Sequence, residues 1–176
     1  MKQVLMVIAK QGFKDIEYFE PKQILEDNEI SVHTASTEIG TATGSDGKTT
    51  SIDFTVADFL EKEENMAQYE AVIFVGGGGM EPLTDDANFQ KLAINFFTAH
   101  KIVAAICVAP ILLAKAGLLR GRDATVSSNQ EYIDAIVNNG AEYLNQDLVV
   151  ADNIITASGP KVAYKFGLTI METINK

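Results

Sequence analysis

The sequence IVAAICVAP, residues Ile102 to Pro110, predicts a strand, a turn and the start of a helix within one short stretch. Its first part, Ile102–Ile106, is apolar and uncharged, which is typical of a strand buried on both faces of a sheet. Pro110 suits the first turn of a helix, because an N–H at that position has no partner within the helix. The stretch therefore predicts a buried parallel strand that turns sharply into a helix.

The same arrangement recurs along the chain. Three further apolar runs predict buried strands at Val4–Ala9, Ser31–Ala35 and Ala71–Val75. The intervening segments have helical periodicity and predict helices at about 18–28, 55–66, 86–99, 110–116, 130–138 and 162–174. Alternating strands and helices with right-handed crossovers predict an α/β fold, a doubly wound, mostly parallel sheet with helices on both faces.

Two segments break this alternation and predict hairpins. Within Gly40–Phe54, the residues Ser45-Asp46-Gly47 separate two Thr-rich segments. Near the end of the chain, Ala151-Asp152-Asn153 separates Leu148–Val150 from Ile154–Thr156. No repeat, linker or low-complexity segment interrupts the sequence, so we expect one domain over residues 1–176.

Composition narrows the classes of function. The chain has 176 residues, of which 47% are hydrophobic, and a net charge of −10. That charge disfavours nucleic acid and anionic membrane surfaces as partners, and no apolar run approaches the ~20 residues of a membrane span. One cysteine excludes an internal disulfide, and one cysteine with two histidines is poor material for a structural zinc site. We expect a cytoplasmic protein without a metal or a cofactor.

Cys107 follows the strand Ile102–Ile106 directly and is the first candidate for chemistry. At a strand-to-helix turn its side chain would point to the carboxyl edge of the sheet, where α/β proteins bind ligands. The free N–H groups and the dipole of the new helix would lower the pKa of the thiol. The turn is similar to a nucleophile elbow, although it lacks the flanking glycines. The alternative is that Cys107 is a small apolar residue of the core.

Gly76 to Gly79 follow the strand Ala71–Val75 and would reach the same edge. Glycines let main-chain N–H groups approach a ligand, so an N–H of Gly76 or Gly77 could form an oxyanion hole with the N–H of Val108. A phosphate cradle is disfavoured because no dinucleotide or P-loop motif is present. The remaining alternative is a tight turn without a ligand.

Glu17 lies where the first helix should begin, in a loop that adjoins the Cys107 turn. An acid at this position usually complements the helix dipole at the surface. Next to the thiol, however, an ionised Glu17 would raise the thiol pKa by repulsion, whereas a protonated Glu17 could donate a hydrogen bond to the thiolate. Asp15 is a weaker candidate. Neither histidine suits a Cys–His pair, because His33 falls within a predicted strand and His100 precedes one at its amino end.

Together these residues resemble the ThiJ/PfpI superfamily, whose members include DJ-like proteins, PfpI-type peptidases and cofactor-independent glyoxalases. The resemblance extends over almost the whole chain and is carried by VLMVIAKQGFKDIE, AVIFVGGGG, AAICVAP, GRDATV, NNGAEY and IITASGP. It implies a flavodoxin-like, class I glutamine amidotransferase-like fold and a homodimer. It also implies that Cys107 is the elbow cysteine, that Glu17 hydrogen-bonds its sulfur, and that Gly77 and Val108 are the main-chain donors of the anion pocket.

Three functions remain open, all within an expected role in protection against stress. The first is a glyoxalase-type enzyme that acts on small reactive aldehydes through Cys107 and Glu17. The second is a non-enzymatic protein that responds to an oxidant at Cys107. The third is an intracellular amidase or cysteine peptidase, which the resemblance weakens because Val108 stands where PfpI-type peptidases carry histidine.

Overall fold

The computed structural model describes residues 1–61 and 66–176. Its strands are β1 (Gln3–Val7), β2 (Gln11–Phe13), β3 (Ser31–Ser36), β4 (Gly40–Gly44), β5 (Thr49–Ile52), β6 (Phe54–Thr55), β7 (Tyr69–Phe74), β8 (Ile102–Ile106), β9 (Asp123–Ala124), β10 (Glu142–Tyr143), β11 (Leu148–Ala151) and β12 (Ile154–Ala157). Its α-helices are α1 (Asp15–Asp27), α2 (Val56–Glu61), α3 (Ala87–Thr98), α4 (Pro110–Lys115), α5 (Gln130–Asn138) and α6 (Ala163–Ile174). Short 3-10 helices cover Pro82–Asp85 and Pro160–Val162.

The main sheet has the strand order β11-β12-β8-β7-β1-β3-β6. Strand β11 pairs antiparallel with β12, and the other neighbouring pairs in this sheet are parallel. In β1, Val4 and Met6 face one core whereas Leu5 and Val7 face the other, and all four are fully buried. This alternation explains the apolar runs, because strands with helices on both faces have no side that meets water.

The helices divide between the two cores. Helices α1 and α6 cover one face, where Tyr18, Leu25 and Phe166 are buried. Helices α2 to α5 contribute to the other, with residues such as Phe96 and Leu112. The predicted doubly wound, flavodoxin-like fold is confirmed.

Both predicted hairpins form, and each has an unpredicted role. Strands β4 and β5 pair antiparallel but join β2 in a separate three-stranded sheet. The buried Asp15 holds this hairpin, because its carboxylate accepts hydrogen bonds from the N–H groups of Asp46 and Lys48, both at 2.8 Å. Asp15, the weaker catalytic candidate, therefore has a structural role. The second hairpin inserts β12 beside β8, which places Ala157 next to the Cys107 turn.

Some expected bounds were wrong. The first helix begins at Asp15 rather than near Tyr18, and the loop 10–13 contains the short strand β2. The small pair β9–β10 was not predicted, because two-residue strands have no periodicity to detect. Of the helix expected over 55–66, α2 covers the first part, and residues 62–65 lie outside the described residues.

Within residues 1–61 and 66–176, no helix combines the length and the apolar character needed to cross a membrane.

Candidate active site

Three loops meet at the carboxyl edge of the main sheet, as the parallel topology requires. The loop after β1 contacts the glycine run through two main-chain hydrogen bonds, from Lys14 N–H to the Gly76 carbonyl at 3.0 Å and from Gly79 N–H to the Gly12 carbonyl at 3.1 Å. The Cys107 turn closes the third side, since a side chain added to Gly76 would lie 2.6 Å from Cys107 Cβ. The loops singled out from the sequence are therefore neighbours.

Cys107 occupies a strained main-chain conformation. Its φ of 66° lies in the left-handed region, which side chains other than glycine seldom adopt. The turn is held from both sides: Cys107 N–H donates to the Ala157 carbonyl and Ser127 N–H donates to the Cys107 carbonyl, both at 2.9 Å. The residue is partly exposed. This geometry turns the thiol away from the strand and towards the sheet edge, as in a nucleophile elbow.

Two main-chain donors reach the sulfur. The N–H groups of Gly77 and Val108 both hydrogen-bond Cys107 and favour its charged form. Gly77 has a φ of 105°, and a Cβ there would lie 2.4 Å from the Gly12 carbonyl oxygen. Glycine is therefore required at this position, both for its conformation and for the close approach of the neighbouring loop.

Gly76, also proposed as a donor to the anion pocket, has another partner. Its N–H donates to Glu17 Oε2 at 3.0 Å. This N–H is therefore committed to the carboxylate, whereas the expected role of Gly76 in an anion pocket stays a prediction. Gly76 thus positions Glu17.

Glu17 is completely buried, in the first turn of α1. Burial raises the pKa of its carboxyl group to about 7, against the opposing effects of Cys107, the Gly76 N–H and the charge of Lys14. Its Oε1 atom has no conventional hydrogen-bond partner among the described residues, although the carboxyl group lies within hydrogen-bonding range of the Cys107 thiol. The carboxyl group of Glu17 therefore lies beside the sulfur, with Oε2 bonded to Gly76 N–H and Oε1 available to accept the thiol proton.

The expected lowering of the thiol pKa is wrong for this arrangement. Burial comes first and the charge of Glu17 second, and together they outweigh Gly77 and Val108 and raise the pKa of Cys107 to about 12. With Glu17 ionised, the two groups form a carboxylate and a neutral thiol at neutral pH. The carboxylate is then a base positioned to take the thiol proton.

The DJ-1/PfpI family model matches residues 2–173 of the chain. The chain belongs to the DJ-1/PfpI family.

The fold of this DJ-1/PfpI protein has solved counterparts. It is similar to the ThiJ/PfpI domain protein of Brachyspira murdochii, with a TM-score of 0.91, 35% identity, and 98% of this chain and 96% of that chain covered. Among curated proteins, it is 38% identical to the uncharacterized protein MJ0967 of Methanocaldococcus jannaschii, over 98% of this chain and 82% of that protein. Both comparisons extend over nearly the whole chain.

Family members that are named for an activity differ in that activity. The deglycase PfpI of Pyrococcus furiosus is 29% identical, over 91% of this chain and 92% of its own length. The putative cysteine protease YraA of Bacillus subtilis is 30% identical, over 91% of both chains. The glutathione-independent glyoxalase DJR-1.2 of Caenorhabditis elegans is 28% identical, over 68% of this chain and 62% of its own length. Membership of the family therefore does not by itself assign a reaction to this chain.

Both histidines lie away from Cys107. His33, in β3, hydrogen-bonds the Tyr69 hydroxyl at 2.7 Å through Nδ1. His100 has a φ of 57° and precedes β8, at the opposite end of that strand from Cys107. No group of three or more His, Cys, Asp or Glu side chains within the described part of the chain is arranged to hold a metal ion. The candidate chemistry belongs to Cys107, Glu17 and the main-chain donors.

A cleft beside the glycine run was not anticipated from the sequence. It has a volume of about 530 Å³, and its walls include Gly78, Glu81, Lys115 and Tyr132. Small-molecule sites have volumes of roughly 300–1,000 Å³. Tyr132 lies in a predicted helix near the carboxyl edge, but the sequence carries no signal for its partner across the cleft, because the contact joins residues 51 positions apart.

Proposed function

We propose that this chain is a cofactor-independent enzyme that converts small α-oxoaldehydes, such as methylglyoxal, to hydroxy acids through Cys107 and Glu17, and so protects against reactive aldehydes. Relatives named as a glyoxalase and as a deglycase support a reaction of this class. The single observation that carries the proposal is the completely buried carboxyl group of Glu17 beside the thiol. Burial raises the pKa of this group to about 7. A base with a pKa near the working pH combines availability with proton-transfer strength.

The first step is addition of the thiol to the aldehyde. Glu17 takes the thiol proton while sulfur forms a bond to the aldehyde carbon, and the π electrons of that carbonyl move to its oxygen. The N–H groups of Gly77 and Val108 stabilise the oxyanion. Glu17 then returns the proton to this oxygen, which gives a hemithioacetal and restores the carboxylate. This sequence needs no free thiolate, so it agrees with the raised pKa of Cys107.

The second step moves hydrogen between the two carbons of the substrate. Glu17 removes the proton from the carbon bonded to sulfur, and an enediolate forms with its negative charge on the second oxygen. Glu17 delivers the proton to the neighbouring carbon, while the hydroxyl proton of the first carbon moves to the second oxygen and the first carbon regains its carbonyl. The product is a thioester of a 2-hydroxy acid on Cys107. Water hydrolyses it to the hydroxy acid and the free thiol. Oxidation of one carbon balances reduction of the other, so no external oxidant or cofactor takes part.

The test is the formation of lactate from methylglyoxal by the purified protein. We expect wild type to form lactate, and Cys107→Ala and Glu17→Gln to lose that activity. Glu20→Gln makes the same chemical change three residues further along α1 and serves as the matched control, with activity close to that of wild type. Wild type that forms no more lactate than Cys107→Ala would contradict the proposal.

A redox-responsive function is the second candidate, and the partial exposure of Cys107 favours it. The raised thiol pKa opposes it, because the thiolate is the form that peroxide oxidises. Intact mass after mild peroxide treatment separates the two candidates. Rapid oxidation of wild-type Cys107 at neutral pH, without lactate formation, would favour a redox-responsive protein over an enzyme.

The amidase or peptidase alternative has a named relative in its favour, YraA. It requires protonation of an amine leaving group, and neither histidine lies beside Cys107 to supply that proton. Cleavage of a peptide or amide that disappears in Cys107→Ala would support it.

The family resemblance also suggests a homodimer in the cytoplasm, with small molecules as partners. Two subunits would have twice the chain mass of 19.1 kDa, a value that light scattering after size-exclusion chromatography can measure. A monomer at micromolar concentration would contradict the dimer. Cell fractionation tests the location.

A further inference from the structure

Tyr132 is a polar side chain in the cleft that the proposed reaction does not use. It is the third residue of α5, and its hydroxyl donates a hydrogen bond to Glu81 Oε2 at 3.0 Å across the cleft. The ring is partly buried, and both residues line the cleft of about 530 Å³ next to Gly78. The cleft adjoins the candidate active site at Gly78, the residue after the Gly77 donor.

Both sides of this contact are fixed to the loops that form the candidate active site. The loop before α5 is held at Cys107 by the hydrogen bond from Ser127 N–H to the Cys107 carbonyl at 2.9 Å. Asn129 then caps the helix, because its side-chain oxygen accepts from Glu131 N–H at 2.9 Å. Glu81 follows the glycine run that supplies the Gly77 donor. The two walls of the cleft that carry Tyr132 and Glu81 are therefore attached to the loops around Cys107.

Electrostatics keep the Tyr132 hydroxyl protonated. Burial raises the pKa of Tyr132, and the hydrogen bond to Glu81 and the charge of Glu81 raise it further. Tyr132 therefore acts as a hydrogen-bond donor at neutral pH.

We propose that the Tyr132 hydroxyl binds the second carbonyl oxygen of an α-oxoaldehyde held at Cys107, and so selects two-carbonyl substrates over simple aldehydes. This inference rests on the proposed function and adds a substrate-binding residue to it. Gly77 and Val108 serve the oxygen on the carbon bonded to sulfur, and the neighbouring carbonyl oxygen needs a donor of its own. The cleft that Tyr132 lines reaches Gly78, the residue after Gly77, so a substrate that extends from Cys107 into this cleft would bring its second carbonyl oxygen towards the hydroxyl.

The hydrogen bond strengthens as the second step proceeds. When Glu17 removes the proton from the carbon bonded to sulfur, the electron pair forms a carbon–carbon double bond. The π electrons of the second carbonyl move to its oxygen, which becomes an enolate stabilised by the Tyr132 hydroxyl. When Glu17 returns the proton to the second carbon, the hydroxyl proton of the carbon bonded to sulfur passes to that oxygen, which becomes the hydroxyl of the product, and the first carbon regains its carbonyl. Tyr132 donates a hydrogen bond throughout and loses no proton.

The hydrogen bond from Tyr132 to Glu81 does not prevent Tyr132 from donating to the substrate instead. Its contact with Tyr132 is solvent-exposed, so water can replace the phenol as a donor to the carboxylate. The negative charge that develops on the substrate oxygen gains from a donor already held in position, whereas water can serve the exposed Glu81 carboxylate. The Tyr132–Glu81 contact therefore holds the ring in place until substrate binds.

The experiment compares Tyr132→Phe, which removes the hydroxyl alone, with Tyr143→Phe, a tyrosine in a different cleft. With methylglyoxal we expect kcat to fall about 100-fold in Tyr132→Phe, as for loss of one donor to a developing oxyanion, and to stay within about twofold in Tyr143→Phe. Alkylation of Cys107 by iodoacetamide should have the same rate in both variants as in wild type. An unchanged kcat in Tyr132→Phe would overturn the inference.

A second measurement does not depend on turnover. In a Glu17→Gln background, the hemithioacetal at Cys107 can be quantified by NMR with 13C-labelled methylglyoxal and with propanal, which has one carbonyl. Adding Tyr132→Phe should weaken the methylglyoxal adduct about fivefold, the effect of one hydrogen bond, and leave the propanal adduct unchanged. Equal weakening of both adducts, no weakening, or no methylglyoxal adduct at all would overturn the inference. Selective weakening in a protein whose wild type forms no lactate would retain the Tyr132 contact and reject the proposed reaction.

Discussion

Glu17 is an acid at a buried position, where its negative charge loses hydration and reduces the stability of the fold. Its carboxyl pKa rises, through burial first, from 4.5 to about 7. Between these values the folded protein holds a proton that the unfolded chain has already lost. Stability must therefore fall as pH rises through this window, by roughly 3 kcal/mol in total. A residue that reduces stability at neutral pH and lies beside a reactive atom is typical of a functional site.

The first prediction follows from this linkage. Glu17→Gln has no charge to bury, so its free energy of unfolding relative to wild type should increase by about 3 kcal/mol between pH 4.5 and about pH 7.5. Urea unfolding at several pH values measures the difference, and Glu20→Gln, the same chemical change at a partly buried position of α1, is the reference for the substitution itself. A difference that stays constant across this pH range would show that Glu17 has an ordinary pKa.

The second prediction separates the reactivity of the thiol from catalysis. The charge of Glu17 is, after burial, the second cause that raises the pKa of Cys107. Glu17→Gln should therefore lower the thiol pKa, and its alkylation by iodoacetamide should begin at lower pH than in wild type. The same variant should lose lactate formation, because the base is gone. A thiol pKa that rises in Glu17→Gln would instead show that a protonated Glu17 stabilises the thiolate.

The third prediction concerns the contact between Gly76 and the two site residues. A Cβ at Gly76 would lie 2.5 Å from Glu17 Oε2 and 2.6 Å from Cys107 Cβ. Gly76→Ala should therefore destabilise the protein by roughly 2–3 kcal/mol and displace the acid from the thiol. Gly78→Ala is the matched control for stability, since a Cβ there meets no heavy atom within 4 Å. Thermal unfolding should distinguish them, and equal midpoints would contradict the packing of the glycine run.

At the scale of elements, the position of Glu17 depends on how α1 packs. Pro21 lies inside α1 and has no N–H, so it cannot donate to the carbonyl of Glu17 four residues earlier. The helix instead is held by packing against α6, where Gly167 faces Pro21. The close approach of these two helices fixes the first turn of α1 over the sheet.

The fourth prediction tests that approach. A Cβ on Gly167 would lie 2.7 Å from Pro21 Cα and 3.0 Å from Ile24 Cδ1. Gly167→Ala should destabilise the fold by about 1–3 kcal/mol through overpacking, although alanine favours a helix by about 1 kcal/mol. Lys165→Ala, at an exposed position of the same helix, is the control and should be nearly neutral. A more stable Gly167→Ala would mean that the helices are further apart than the structure shows.

The whole molecule depends on both layers of helices. Helix α6 buries Ala163, Phe166 and Ile170 completely against one face of the sheet. Without α6, apolar side chains on one face of β8 and β12 would be exposed to water. Burial of one large apolar side chain contributes about 1.5–3 kcal/mol, and a domain has about 5–15 kcal/mol in total.

The fifth prediction is that a chain ending at Ser158 does not fold. Circular dichroism should show loss of a cooperative thermal transition, because the removed residues include α6 and its buried side chains. A chain that lacks Lys176 alone should unfold like wild type, since that residue is exposed. A cooperative transition in the shorter chain would show that α1 covers that face without help.

Patterns along the chain were enough to predict the doubly wound fold, the carboxyl-edge position of Cys107 and the proximity of the glycine run. These follow from local periodicity and from a topological rule, so they need no atomic detail. Tertiary contacts set which N–H serves which acceptor, so that Gly77 faces the sulfur whereas Gly76 faces Glu17. They also set the thiol pKa and the contact of Tyr132 with Glu81. Burial and charge depend on residues brought together from distant parts of the chain, and periodicity along one segment does not contain that information.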